Sequence, residues 1–311
     1  MTDVNEMIRL VQDHLSQAGI DSPQAEAATI VSHILGVSRG RLGVLRALGE
    51  QLDAEAVEQI TELAKARATR TPLQYLIGTS AFYGLEVKVA PGVFIPRVET
   101  EVLVETTLQH FASHPGPLKI LDLCTGTGTI AAALADQLQQ RNILTDLWAV
   151  DISAQAAELA GENTAQHNVT VLCADATDHH SVIAAAPELS PLRAQFDAVV
   201  SNPPYIPTTT PVTQYEAEQD PERALYGGSA DGTAIPLRIA EQAAGWLAPG
   251  GFFMMEHDHT HAQQLVAALA ADPAWEQVQT VNDLTGAQRF VTAIRTPSAK
   301  PTPKSSPTLA Q

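Results

Sequence analysis

The sequence predicts an α/β protein in which a mostly parallel sheet is covered by helices on both faces and preceded by a small helical domain. Three observations carry this. From Leu118 onward, short apolar runs alternate with longer segments of helical periodicity. A glycine-rich turn, Cys124-Thr125-Gly126-Thr127-Gly128, follows the first of those runs and leads into a helix. Residues 1 to about 70, by contrast, show helical spacing only.

The helical domain, 1–70, rests on Met7, Ile8, Val11 and Leu15, and then on Ala27, Ile30, Val31, Ile34 and Leu35. Asp21-Ser22-Pro23 reads as a helix start, a capping side chain before a proline in the first turn. A third helix is expected from Asp53 to Arg67. A linker, 71–111, begins at Thr71-Pro72. Phe82 to Val89 alternates like a strand, Ala90-Pro91-Gly92 turns, and Val93-Phe94-Ile95 returns, which predicts a β-hairpin. Pro96 ends it, and Val98 to Phe111 reads as a helix.

In the third region, 112–295, seven strands are expected near Lys119–Leu123, Asp146–Val150, Thr170–Leu172, Gln195–Val200, Gly251–Met255, Val278–Val281 and Arg289–Ala293. The last two are joined by only Asn282 to Gln288. That is too short for a parallel crossover, so they should form an antiparallel hairpin. The tail, 296–311, is rich in Pro, Ser and Thr without apolar periodicity, and disorder is expected there.

Composition narrows the function. The 311 residues carry 18 Lys plus Arg against 35 Asp plus Glu, a formal charge of -17. Such a balance opposes binding along nucleic acid, which needs basic surface to displace counterions. Two cysteines, Cys124 and Cys173, are too few for a disulfide framework and fit a reduced compartment. The first residues resemble no signal or transit peptide, and no apolar run is long enough to span a bilayer. A cytoplasmic, monomeric protein with no membrane contact is the expectation.

Glycines at a strand-to-helix turn let a ligand approach the backbone. Asp151, ending the second strand, stands where a carboxylate can take ribose hydroxyls. Asp175, ending the third, can hold an adenine edge or simply face solvent. Turn and acid together point to a nucleoside-bearing cofactor. The expected terminal hairpin favours S-adenosylmethionine over a dinucleotide, because the sheet of its methyltransferases ends with one antiparallel strand.

The fourth strand stops at Ser201-Asn202-Pro203-Pro204-Tyr205. Neither proline has an N–H to continue a ladder. This Asn-Pro-Pro-Tyr resembles the motif of amino methyltransferases acting on planar, conjugated nitrogens, including N(6)-adenine DNA methyltransferases and protein glutamine methyltransferases. Their target nitrogen has a delocalised lone pair and two N–H donors. The Asn202 side-chain oxygen and the Pro203 carbonyl can accept both, with the prolines stiffening the carbonyl. That arrangement favours pyramidalisation as the new bond forms. The Tyr205 ring can cover the flat face of the group. The methyl is then displaced in line with no covalent enzyme intermediate, and no metal is required.

The resemblance extends along the chain. Pro72 to Gly78, Phe82 to Leu85, Val93 to Glu101, Glu222 to Gly228 with Asp231-Gly232, and Leu247 to Gly251 followed by Glu256 are similar to segments of the HemK/PrmC family. The resemblance implies a class I S-adenosylmethionine-dependent methyltransferase: a Rossmann-like seven-stranded sheet, a β-hairpin linker and an N-terminal substrate-docking domain. It implies transfer of a methyl group to the glutamine of the Gly-Gly-Gln motif in class-1 peptide chain release factors. By position, Cys124, Thr125, Gly126, Thr127, Gly128, Asp151, Asp175, Ala176 and Asn202 would hold S-adenosylmethionine. Asn202, Pro203, Pro204 and Tyr205 would hold the glutamine, with Asn202, Pro203 and Tyr205 catalytic. Cys124 replaces a usual Gly, Val98 a usual Pro, and Ala176 an aromatic found in some members. Alternative substrates are an N6-adenine in nucleic acid or the glutamine of a ribosomal protein. Arg97 and Glu99 read as ion-pair partners near the cofactor or as solvated charges. His257, His259 and His261 read as a polar loop at the pocket rim rather than a metal tract.

Overall fold

The structure, a computed structural model, describes residues 2–114, 116–211 and 219–297. The tail expected to be disordered lies, from residue 298 onward, outside the described residues. The chain divides into two compact units, one of residues 2–80, 89–91 and 219–220, the other containing the remainder.

The first unit is helical. Its helices are α1 (Val4–Gln17), α2 (Pro23–Ile34), α3 (Arg39–Leu48), α4 (Ala54–Ala68) and α5 (Leu73–Ile77). Asp3 and Asp53 cap α1 and α4 by accepting from the N–H groups of Glu6 and Ala56. Helix α2 does start at Pro23, although Ser22 makes no side-chain cap bond. Helix α3 escapes the sequence reading because Arg39-Gly40-Arg41-Leu42-Gly43 has two glycines and buries only Leu42. Val4, Leu15, Ile30 and Ile60 form the centre of this unit's core.

The hairpin lies one strand earlier than expected. Its strands are β1 (Thr79–Phe82) and β2 (Leu85–Lys88), and no strand covers Val93 to Ile95. Tyr83 and Gly84 have φ of 47° and 81°. Two consecutive left-handed residues make the tight turn whose twist matches paired strands. The Tyr-Gly dipeptide was therefore a turn inside an apparently alternating run. A three-residue 3-10 turn, Val98–Thr100, leads into α6 (Glu101–His110), and Glu101 accepts from the Tyr83 N–H at 2.8 Å.

The seven-stranded sheet of the second unit has the strands β3 (Leu118–Leu123), β4 (Thr145–Asp151), β5 (Val169–Cys173), β6 (Phe196–Ser201), β7 (Leu247–Glu256), β8 (Trp275–Asn282) and β9 (Gln288–Arg295). The spatial order is β5-β4-β3-β6-β7-β9-β8. The first five run parallel, and β9 is antiparallel to both β7 and β8, as expected. Between them run α7 (Thr129–Gln140), α8 (Ala154–Thr164), α9 (His179–Ala185), α11 (Ala234–Trp246) and α12 (Ala262–Ala271), with the single turn α10 (Glu222–Leu225).

Strand β3 buries side chains on both faces. Leu121 and Leu123 join a core with Trp246, Phe253 and Leu265, whereas Ile120 joins one with Leu103, Leu134 and Met254. Strands buried on both faces in this way mark a sheet covered on both sides. The chain runs outward from β3 to β5 and then returns to place β6 on β3's other side. The carboxyl ends of β3 and β6 are thus the topological switch point, where ligand sites form in open α/β sheets. Among the described residues no helix is long and apolar enough to cross a membrane.

Candidate active site

Strand register sets the sequence-predicted residues in a row. Leu123 pairs with Ser201, Val150 with Leu172, and Ser201 with Met255. The residues at or just beyond the carboxyl end of each strand therefore line one edge in the order Asp175, Asp151, the glycine turn, Asn202 and Glu256.

The turn is held from below. The Thr125 N–H donates to the Val150 carbonyl at 3.0 Å, and the Thr125 hydroxyl to Asp122 Oδ2 at 2.6 Å. Burial pushes the Asp122 carboxyl up to about 7. The two glycines do different work. A Cβ on Gly128 would lie 2.9 Å from Ala160, so α8 packs directly against it. A Cβ on Gly126 would meet nothing within 4 Å, which leaves open space over the backbone there. Asn163 donates to the Thr127 carbonyl at 2.8 Å and also to that of Lys88, tying the turn to β2.

Asp151 accepts from the Gly126 N–H through Oδ2 and the Ser153 N–H through Oδ1, both at 2.9 Å. Each oxygen keeps a second lone pair for a hydroxyl donor. Burial pushes its carboxyl up, with these backbone bonds opposing that shift. Asp175 Oδ1 takes both the N–H and the hydroxyl of Thr177, so Oδ2 remains for an incoming N–H. The Ala176 methyl lies in the core, 5% exposed, so only its main chain can reach a ligand. Ile152, next to Asp151, is 51% exposed, an apolar surface that the sequence reading missed. An open glycine backbone, carboxylate lone pairs and an adjoining aliphatic face fit a nucleoside.

On the other side of the switch point, the Ser201 hydroxyl donates to the Leu123 carbonyl at 2.6 Å. Asn202 Nδ2 donates to Thr100 Oγ1 at 3.2 Å. Thr100 Oγ1 donates to Glu256 Oε2 at 2.7 Å, and the Tyr205 hydroxyl donates to Glu256 Oε1 at 3.1 Å. Among the described residues nothing donates to Asn202 Oδ1 or to the Pro203 carbonyl. The tyrosine hydroxyl is pushed up by burial and by the adjacent Glu256 charge. In the sequence Thr100 and Glu256 stand out only as members of the segments that resemble the HemK/PrmC family. They lie 156 residues apart, and no local pattern links them.

The loop after the motif supports it from outside. The Tyr205 and Ile206 N–H groups donate to the Leu225 carbonyl. A Cβ on Gly232 would stand 2.2 Å from the Tyr205 carbonyl oxygen, and one on Gly227 would stand 1.9 Å from the Gly232 oxygen. Both positions require a bare backbone, which is why this segment reads Tyr-Gly-Gly followed by Asp-Gly.

Arg97 has its guanidinium 5.0 Å from the Phe94 ring centroid. The histidine tract does not form a common face. His257 and His261 are buried, His259 is exposed, and His259–His261 is a 3-10 turn rather than an extended rim loop. Among the described residues no group of three His, Cys, Asp or Glu is arranged to hold a metal.

Comparison with known proteins agrees in two places. A family profile described as PrmC N-terminal domain matches residues 6–78, and one described as Methyltransferase small domain matches residues 84–217. The chain is 42% identical over 296 residues to the release factor glutamine methyltransferase of Mycolicibacterium smegmatis, covering 95% of this chain and 99% of that protein. It is 37% identical over 294 residues to the protein of that description from Mycobacterium tuberculosis H37Rv, covering 94% and 91%. Against that of Bifidobacterium longum it is 35% identical over 303 residues, covering 94% and 99%.

Proposed function

This chain belongs to the release factor glutamine methyltransferase family, and from that premise we propose that it methylates the side-chain amide nitrogen of the glutamine in the Gly-Gly-Gln motif of class-1 peptide chain release factors. The observation carrying this reading is a pair of acceptor oxygens to which no described residue donates, Asn202 Oδ1 and the Pro203 carbonyl, on a strand end beside an open glycine turn.

S-adenosylmethionine, when bound, supplies an electrophilic sulfonium methyl group. Residues 124–128, with Asp151, Asp175 and the main chain of Ala176, would hold it. Asn202 and Pro203 each accept one N–H of the glutamine amide. The nitrogen is thereby fixed with its lone-pair face toward the methyl donor, and its delocalisation is weakened as the bond forms. Pro204 stiffens the segment, and the Tyr205 ring covers the flat amide. The nitrogen becomes acidic once methylated, so its proton can leave to water without a dedicated base.

The acidic charge of -17 favours this substrate over nucleic acid. Residues 1–70 are assigned to docking of the release factor, and the protein is read as cytoplasmic and monomeric.

Mass spectrometry of the release-factor glutamine, after incubation with the protein and S-adenosylmethionine, should show a gain of one methyl group. Asn202→Ala should lower that turnover by roughly 1000-fold while the variant remains folded. Methyl label entering DNA adenine, with the release factor unlabelled, would replace this reading with the nucleic-acid one.

A further inference from the structure

Asn202 can serve as an acceptor only if its amide is the right way round, and the motif itself does not decide that. We propose that Glu256 is a positioning residue that fixes which end of the Asn202 amide faces the target nitrogen, acting through the Thr100 hydroxyl. This inference deepens the reading above and rests on it.

A threonine hydroxyl has one hydrogen to donate and lone pairs to accept with. Thr100 Oγ1 donates its hydrogen to Glu256 Oε2 at 2.7 Å. Toward Asn202 it can then only accept, so the amide must turn its NH2 end to it, and Nδ2 lies 3.2 Å away. The Oδ1 end is left facing the open side as an acceptor. Had Thr100 been free to donate, either end of the amide would satisfy it.

The other carboxylate oxygen accepts from Tyr205. One buried group, 1% exposed, therefore orients both ends of the four-residue segment from 202 to 205. Two separate elements converge on it at the end of β7: the 3-10 turn carrying Thr100 and the loop after β6.

The relay works in this sense only while Glu256 is ionised. As a carboxylate it accepts from both hydroxyls. As a carboxylic acid it carries a proton that can be donated to Thr100, which releases the Thr100 hydrogen toward Asn202 and turns the amide's acceptor away from the site.

The charged and titratable groups around Glu256 pull in both directions. Arg289, on the adjoining strand β9, favours the anion. Glu99, on the 3-10 turn, opposes it. His257 and Asp258 follow it directly in the chain, just beyond the end of β7, and Tyr205 faces it across the 205–256 hydrogen bond. Removal from water outweighs the rest and pushes the carboxyl up to about 7. Turnover should accordingly fall as the pH drops through about 7.

The test uses the full chain with Thr100→Val, Thr100→Ser and Glu256→Gln. Thr100→Val keeps the shape and loses the hydroxyl. It should lower kcat about 100-fold while the dissociation constant of S-adenosylmethionine, measured by calorimetry, moves less than about threefold. Thr100→Ser, which restores the hydroxyl, should recover most of that loss. Glu256→Gln should lower kcat and abolish its acid limb near pH 7.

A second measurement needs no substrate. With asparagine-selective nitrogen-15 labelling, the Asn202 side-chain protons should exchange with water slowly in the parent protein and rapidly in Thr100→Val. A kcat for Thr100→Val within about threefold of the parent would overturn the relay, as would unchanged proton exchange at Asn202. A parent protein that labels no release factor defeats the proposed function instead, and the exchange measurement still decides the relay.

Discussion

Glu26 and Glu256 are carboxylates drawn largely out of water by their respective units, and they are held in opposite ways. Glu26 meets Arg67 in a two-pronged pair, Nε to Oε2 at 2.6 Å and Nη2 to Oε1 at 3.1 Å, and the guanidinium also donates to the Thr71 carbonyl. Glu256 meets two hydroxyls, and Arg289, a cation whose charge acts on it, is bonded to Asp283 at 2.9 Å. A carboxylate matched by a guanidinium is a structural joint whose charge is cancelled on the spot. One held by hydroxyls has its charge uncancelled, costs stability when it ionises in its buried place, and transmits hydrogen-bond direction instead. The first fastens α2 to the end of α4; the second sets up a reaction.

The largest expected effect comes from breaking the structural joint. Arg67→Ala leaves Glu26 without its cation and should destabilise the helical unit by about 3 kcal/mol, read from the urea midpoint. A loss below about 0.5 kcal/mol would place this pair with ordinary surface ion pairs and remove the contrast.

Glu256→Gln should act with the opposite sign. The carboxyl sits at about 7 in the fold against an ordinary value of 4.5. Its neutral form is thus the one the fold favours. That contribution is fully present below about pH 4.5 and is lost as the pH rises through about 7. Glutamine cannot ionise, so the variant should exceed the parent in stability at pH 8 by roughly 2 kcal/mol. The difference should shrink steadily toward pH 5. Urea midpoints at those two pH values check it, and a pH-independent difference would show that the Glu256 charge is not the cause.

Val98→Pro is the smallest change and sharpens the second half of the comparison. Val98 is 60% exposed and heads the turn carrying Thr100. Arg97 before it has φ of -102° and ψ of 142°, an extended backbone compatible with a following proline. Stiffening this turn should raise stability by about 0.5 kcal/mol through the unfolded state, with turnover as in the parent. A drop in turnover would mean that the turn must move.

The parallel strands were legible because each carries a short, mostly apolar stretch between helical segments, and the site because strand ends in such a sheet converge on one edge. Gly126, Asp151 and Asn202 stand at those ends, so locating them needed only the order of strands. Helix α3 was hidden by its two glycines and single buried leucine. The hairpin was displaced because Tyr83 adopts a left-handed conformation that a tyrosine seldom takes. The link from Thr100 to Glu256 had no sequence signal at all. A hydrogen bond between the turn that leads into α6 and a strand end depends on packing that no periodicity records.

Cys124, finally, sets a thiol in the glycine turn at φ 63°. Thiolates are strong nucleophiles, and a methyl sulfonium is an alkylating agent. Placed together they would inactivate the protein by self-methylation. Desolvation, with the carboxylates of Asp151 and Asp122 beside it, pushes this thiol well above its ordinary value. The acidic surroundings that recommend the turn for a ribose therefore also disarm its cysteine. A Cys124→Ser exchange should change neither the methyl-acceptor chemistry nor the protein's lifetime in the presence of the donor.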